Sequence, residues 1–379
     1  MKKFIVSLTI IVCVAGFVSK IKAQSDISNV FKAGVADLNK VAQGYLTPAG
    51  NCFSSGLGLN WYNTAKVHDI LGFDITVGGG LIKVPTVNQT FSLVGLTNLK
   101  TTTEGVTEAP TVVGSGKGVK LDLMQPQTLA NGAANPLYPG AITSFTTPAG
   151  ISTFIPAASV QLTLGLPIIN DVSVRFVPKI SVSGVGLSMW GLGVKHNFLQ
   201  WIPGANDLPL DASVLLAYNK FSINYLFPAS ARITPATLVG SSYTYEPSTI
   251  DYSNQGMNMD ADALTANILV SKEWAFFTPY LGFGVTKTSF DLSVAGNYPV
   301  LGDPKTQVIN GSTVPVLSAG KPIMQIDNMT DPIKINSSEL LPNATIGLRL
   351  KFFWFLTLSG QYTFQKYPTS SIGVGINIR

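Results

Sequence analysis

The stretch NATIGLRLKFFWFLTLSGQYTFQKYPTSSIGVGINIR, residues 343–379, decides the fold. Its first run sets Ala344, Ile346, Leu348, Leu350 and Phe352 on one face against Asn343, Thr345, Gly347, Arg349 and Lys351 on the other. After a tight connection Trp354, Leu356, Leu358, Tyr362 and Phe364 alternate with Thr357, Ser359, Gln361, Thr363 and Gln365. The last run opposes Ile372, Val374, Ile376 and Ile378 to Gly373, Gly375, Asn377 and Arg379. A period of two marks β-strands with two unlike faces. The apolar face then meets either a core or lipid.

The same alternation recurs upstream, at Leu71–Gly78, Ala158–Leu166, Val172–Val177 and Leu281–Thr286. Less regular candidates are Phe53–Tyr62, Leu187–His196, Leu210–Lys220 and Leu264–Ser271. A soluble sandwich buries its apolar face, whereas a membrane barrel turns it to lipid. Three features favour the barrel. The polar faces are Gly, Ser, Thr, Asn and Gln, where a soluble surface would carry Lys and Glu. The runs approach the length of a tilted membrane-crossing strand. Aromatic residues gather beside turns, at Trp61-Tyr62, Trp201, Trp274 with Phe276 and Phe277, and Phe352-Phe353-Trp354, as interfacial girdles do. Trp190 departs from this, lying inside a strand.

Composition agrees. Only 12% of the 379 residues are charged, about half the share of a soluble domain. The 10% aromatic content excludes a disordered chain. The one long apolar run, Phe4–Val18, follows Lys2 and Lys3, so residues 1–23 read as a signal peptide. Its removal takes four lysines and lowers the net charge from +5 to +1, which leaves no basic surface for nucleic acid. Cys52 is then the one remaining cysteine, so the mature chain has no intrachain disulfide. Cys13 follows Val12, which does not suit a lipoprotein cleavage site.

Ser25–Leu46 carries a helical stripe of Ile27, Val30, Phe31, Val35, Leu38, Ala42, Tyr45 and Leu46, with Pro48 expected to follow its end. The expected organisation is a signal peptide over 1–23, an N-terminal helix and candidate plug over 24–48, and an outer-membrane barrel over 49–379. Long loops are expected near 83–156, 221–262 and 291–342, with short turns at Leu166–Asn170 and Phe352/Phe353. Eleven strands are countable, and single-chain bacterial barrels have even numbers, so about 12 to 14 are expected. Thr90–Leu99 and Val119–Met124 are the candidates for the hidden ones. The fold class is all-β, a transmembrane antiparallel barrel with a short N-terminal α-helix.

Several blocks resemble a family of bacterial outer-membrane barrels that carries only a domain-of-unknown-function label. They are Ala33–Lys40 continuing to Tyr45–Pro48, Trp61–Lys66 with Leu71–Asp74, Val174–Lys179, Trp190–His196 and Gln200–Pro203. The resemblance implies an outer-membrane barrel and no particular substrate. A more distant similarity is to the long-chain fatty-acid transport porins, through a helix ahead of the barrel and Ser54-Ser55-Gly56-Leu57-Gly58. The Asn-Pro-Ala element expected in that family's hatch is absent from residues 24–60, so no ligand residues carry over. The chain also ends in Arg379 rather than the usual aromatic.

No constellation of an enzyme stands out, and the chain is expected not to be one. His68 and His196 lack a fixed nucleophile and orienting group, and His196 reads as a strand-end residue at the interface. Asp327, Asp331 and Glu339 lack calcium-loop spacing, His and Cys do not cluster for a metal, and no cofactor is expected. Gly114–Gly118 lacks the spacing of a phosphate loop, and Gly78–Gly80 reads as a strand kink or turn. The informative residues are charges assigned to lumen faces: Asp74, Arg175, Lys179, Lys195, Asp211, Arg349 and Lys351. Such charges either pair to brace the barrel or tune selectivity, with a mild anion preference as the testable remainder.

The expected role is a channel or passive transporter for a small molecule, with hydrophobic uptake favoured over polar diffusion. The expected partners are outer-membrane lipid, the export and barrel-assembly machinery and a small-molecule ligand. Two rivals are a barrel-anchored surface-binding or structural protein and a soluble secreted β protein.

Overall fold

A computed structural model describes residues 35–124, 140–168, 170–182, 184–205, 208–239, 243–309 and 312–378. The signal-peptide assignment and the first part of the expected helix, residues 25–34, lie outside them. Ten antiparallel strands close a barrel: β1 (Phe73–Lys83), β2 (Phe154–Leu166), β3 (Asn170–Val182), β4 (Val185–His196), β5 (Asp211–Leu226), β6 (Gly256–Ser271), β7 (Phe277–Ala295), β8 (Ile333–Phe352), β9 (Leu356–Phe364) and β10 (Thr369–Ile378). Each strand pairs with its neighbour in sequence, and β1 pairs with β10 from Phe73↔Ile378 to Ile82↔Thr369 to shut the ring. At one end the turns at 167–169, 272–276 and 353–355 are short. At the other, connections 84–153, 227–255 and 296–332 are long, the outer-membrane arrangement of short inner turns and long outer loops.

The apolar faces point outward. Ile75, Val77, Leu162, Leu216, Ile268, Phe283, Ile346, Leu348, Ile372 and Val374 are all exposed, and a belt of that size on a closed cylinder is a lipid surface. Trp201, Trp274, Phe276, Phe352, Phe353 and Trp354 are exposed near the short turns. Trp61 and Tyr62 do not belong to that girdle: they are buried inside the barrel.

Ten strands replace the expected 12 to 14. Phe53–Tyr62, read as a strand, is the end of a helix followed by a lumen segment, because Phe53, Leu57 and Leu59 pack inward on the wall. Thr90–Leu99 and Val119–Met124 contribute to small sheets in the first long loop. Thr90–Ser92 pairs with Glu108–Pro110, and Leu99–Thr101 pairs with Lys120–Met124, which also pairs with Ala141–Thr146.

The other two loops are shorter than expected because β5 to β8 run beyond the lipid band. On β6, Leu264, Ala266 and Ile268 point out with Thr265 and Asn267 in. Further up, Asn258, Asp260 and Asp262 point out while Met259, Ala261 and Ala263 point in. The phase inverts likewise on β7, where exposed Phe283 and Val285 give way to outward Lys287 and Asp291, and Phe290 and Leu292 turn inward. These strands leave the membrane and continue as a water-facing wall with a soluble-type apolar interior. Trp190 is thereby explained: exposed on β4, opposite Lys220 of β5 and beside Tyr218, with ring centroids 5.3 Å apart, it stands where the inversion begins.

Helix α1 (Val35–Leu57) fills the apolar half of the interior. It continues nine residues past Pro48. Proline removes one hydrogen bond and crowds the carbonyl four residues back. That residue is Gly44, where Phe91 leaves no room for a side chain. The nearby Tyr45 carbonyl accepts from Val112 N, 3.0 Å away. The surrounding wall thus sustains a helix that the sequence rule would end.

Candidate functional site

Below α1 the chain continues down the lumen as an irregular segment, residues 58–72, before entering β1. Backbone in this form has unpaired polar groups that must be met inside a barrel. The polar face of the wall meets them. Arg175 of β3 donates from Nη1 to Leu57 O at 3.3 Å and from Nη2 to Leu59 O at 2.7 Å. Its Nε donates to Gln161 Oε1 at 3.1 Å. Arg175 therefore caps the carboxyl end of α1, where cations are favoured. Its guanidinium also lies 3.8 Å from the Trp61 ring centroid, a cation–π contact. Asn219 Nδ2 donates to Leu57 O, Gln161 Nε2 to Trp61 O, and Gln361 Nε2 and Ser371 Oγ to Asn60 Oδ1.

The glycines of the polar face make room for this segment. A side chain at Gly193 would start 3.0 Å from the Trp61 ring, and one at Gly282 only 2.1 Å from Tyr62 Oη. Smallness at these positions shapes a slot for two aromatic rings.

Nearer the short turns a charged cluster fixes the end of the segment. Asp171 is fully buried and accepts from His68 N at 2.9 Å. It lies 3.0 Å from His68 Nδ1 and 2.9 Å from Lys195 Nζ. Lys195 also donates to Lys66 O at 3.0 Å. Asn377 Nδ2 lies 2.7 Å from His68 Nε2 and donates to Asp74 Oδ2 at 3.1 Å. The cluster ties β1, β3, β4 and β10 to the plug.

Of the seven charges assigned to the lumen, Asp74, Arg175 and Lys195 meet on this segment. Arg349 is buried on β8, two residues from Gly347, over which the Tyr280 ring lies. Asp211 and Lys351 are half-buried near the short turns, and Lys179 is exposed near the long-loop end, past a register shift between Val177 and Ile180. Lys179 therefore does not face the lumen interior. Asp171, Gln161, Asn377 and Trp61 escaped the sequence reading. Strand parity was the available signal for three of them: Asp171 shares the inward face of Ser173 and Arg175, Gln161 that of Thr163, and Asn377 that of Gly373 and Gly375. His196 is half-buried at the end of β4, accepting from Trp201 Nε1 at 2.8 Å.

Two cavities flank the segment. The polar one, about 30 Å³, is lined by His68, Asp74, Gln161, Thr163 and Lys195 among others. The apolar one, about 80 Å³, lies under α1 against Phe53, Leu57, Ala157, Leu187, Met189 and Phe221, with Arg175 and Asn219 at its polar edge. Both hold a few waters at most. The apolar chamber borders a seam in the wall. β2 and β3 pair only from Gln161↔Arg175 to Leu166↔Asn170, and above that level Phe154–Val160 and Phe176–Val182 pair only with their outer neighbours. Pro156 and Pro178 lie on these edges, where a missing N–H costs no ladder bond.

The model of a family of unknown function (DUF6588) matches residues 1–378. No curated protein matches the chain. Among solved structures it is similar to the attachment invasion locus protein Ail of Yersinia pestis, at 7% identity and TM-score 0.23, covering 82% of this chain and 99% of that one. It is also similar to a Pseudomonas aeruginosa FadL homologue, at 12% identity and TM-score 0.19, covering 82% and 89%. A third is the translocator domain of autotransporter NalP from Neisseria meningitidis, at 8% identity and TM-score 0.25, covering 90% and 98%. At such scores the barrel is established by its own strand register rather than by these likenesses.

Proposed function

We propose a role for this chain, which belongs to the DUF6588 family of unknown function, on the strength of its lumen. It is an outer-membrane barrel, shut to ions by α1 and the segment beneath it, that admits a small hydrophobic molecule from the bilayer side. The observation that carries this is the coincidence of the seam with the apolar chamber: Ala157, Ala158 and Ser159 on one lip and Arg175 and Val177 on the other line the same cavity. An apolar solute leaving lipid crosses there without meeting the polar half of the lumen. Expansion of the chamber requires α1 to shift, so occupancy and plug position are linked. Arg175 and Asn219 would receive a polar or anionic end of the ligand. Export through a cleaved signal peptide, residues 1–23, belongs to the same reading.

The test is binding of a fluorescent apolar probe, 1-N-phenylnaphthylamine, to the refolded protein in liposomes, over the partition seen with empty liposomes. Ala157→Phe, which fills the chamber from β2, should abolish the saturable component while the barrel stays folded on a heat-modifiability gel. Saturable binding that survives Ala157→Phe places the ligand elsewhere and removes the proposal.

A second reading, a barrel that anchors a surface platform, draws on a different observation. The long loops fold into sheets of their own, such as Asn297–Pro304 paired with Lys321–Thr330, and Tyr298 is buried against Ile233 at the rim. A loop-specific partner with no apolar-probe binding would favour it.

A further inference from the structure

Asn219 stands out on the inward face of β5, where the residues that share its parity, Leu215, Ala217, Phe221 and Ile223, are all buried and apolar. It is itself 1% exposed. Its surroundings fix the orientation of its amide. Nδ2 donates to Leu57 O at 3.3 Å and lies 3.8 Å from Met189 Sδ, and both of those atoms are acceptors. Oδ1 therefore turns the other way, and no described group donates to it. A buried amide oxygen left without a donor destabilises the protein that carries it. The bond made by Nδ2 does not account for the residue either, because Leu57 O also accepts from Arg175 Nη1 at the same 3.3 Å.

Oδ1 faces across Gly191. This glycine of β4 stands opposite Asn219 of β5 on one side and Arg175 of β3 on the other. A side chain on it would begin only 2.7 Å from Asn219 Oδ1. Asn219 and Arg175 thus flank a backbone with no side chain between them, and both line the apolar chamber beneath α1. Arg175 has placed Nε, Nη1 and Nη2 on Gln161 Oε1, Leu57 O and Leu59 O, which uses three of its five N–H groups. The corner therefore offers an acceptor without a donor beside a guanidinium with two further N–H groups.

On the reading of the chamber as a ligand site, on which this inference rests, we propose that the ligand is an apolar molecule ending in a hydroxyl, an alcohol or a phenol. Its hydroxyl hydrogen goes to Asn219 Oδ1, and its oxygen accepts from Arg175. An ionised carboxylate fits worse. It has no proton for Oδ1, sets its own oxygens against that atom, and engages Arg175 fully only by drawing it off the end of α1. A plain hydrocarbon leaves Oδ1 without a donor. At equal apolar bulk the hydroxyl therefore ranks above both.

The test displaces bound 1-N-phenylnaphthylamine from the refolded full-length protein in liposomes with three ligands of matched bulk: 4-butylphenol, butylbenzene and 4-butylbenzoate. Each is compared at equal concentration in the lipid, fixed by its partition into empty liposomes. The phenol should displace the probe at a concentration about three- to tenfold lower than butylbenzene, the size of one neutral hydrogen bond, and lower than the benzoate. In Asn219→Leu, which keeps the bulk and removes the acceptor, the advantage of the phenol over butylbenzene should vanish. Equal displacement by phenol and butylbenzene in the unsubstituted protein overturns the proposal and leaves the chamber as a purely apolar site. Displacement led by 4-butylbenzoate overturns it too, as does a phenol advantage that persists in Asn219→Leu. Absence of saturable probe binding is a separate failure, that of the chamber itself, and takes this proposal with it. Should Asn219→Leu fail to fold on a heat-modifiability gel, the ranking of the three ligands on the unsubstituted protein decides.

Discussion

Arg175 has no carboxylate partner among the described residues, yet it is buried at 1% exposure. A buried cation without a counter-ion persists where its donors are otherwise met, and here helix-end carbonyls, a glutamine and an indole ring meet them. Arg175→Ala removes hydrogen bonds from a charged donor, each worth ~1.5–3 kcal/mol, and the cation–π contact. The urea midpoint of the refolded barrel should fall, and limited proteolysis should newly cut the segment at Lys66. An unchanged proteolysis pattern would show that the pin is not needed. Asp171→Asn is expected to be harsher, because it leaves Lys195 charged in a buried cluster without its carboxylate; breaking a buried pair costs ~3–5 kcal/mol. Its stability loss should exceed that of the exposed pair variant Lys66→Ala, whose partner Glu273 is solvent-facing. Little of this was legible in sequence. Inward parity placed Arg175 and Lys195 on the polar face, but their partners in the lumen segment are backbone carbonyls of residues 57–66, and no residue type announces a carbonyl.

At the scale of elements, alternation located all ten barrel strands over the lipid band, with Phe53–Tyr62 as one false addition, and it failed in an informative way above that band. A search for one phase of a two-residue period stops where the surroundings of the wall change from lipid to water, so Gly256–Asp262 and residues 291–295 read as loop. The two environments predict opposite responses to the same substitution. Ile268→Arg faces lipid and should cost ~2–4 kcal/mol, whereas Ser338→Arg on the outer wall should cost little. Equal destabilisation in a urea titration would contradict the boundary between lipid and water placed at the phase inversion. Pro48 misled for a related reason: propensity rules describe a helix in water, and α1 sits in a barrel with Gly44 beneath the proline ring. Gly193→Val tests the slot, since a branched side chain there meets Trp61; the resulting overpacking of ~1–3 kcal/mol should loosen the segment and raise its protease sensitivity. A Cβ at Gly373 on β10 has Ser359 Oγ, Thr76 Cγ2 and Val77 O as its nearest neighbours rather than Trp61, so Gly373→Val should leave Trp61 in place.

Taken whole, the molecule is a cylinder with lipid outside its lower half, water outside the taller wall of β5 to β8, and its own amino-terminal chain inside. The low charge content and glycine-rich polar faces follow from that single arrangement: the polar face neither meets bulk water nor lines an open pore, but packs on a segment of the same chain. Composition could therefore identify a barrel and could not tell a filled lumen from an empty one.

The filled lumen is the central claim, and single-channel recording of the refolded full-length protein in a planar bilayer tests it most directly. The intact protein should insert without stable conductance steps, and Arg175→Ala and Gly193→Val should produce steps or flicker at the same applied voltage. Stable, reproducible steps from the intact protein would contradict the account and restore an open channel.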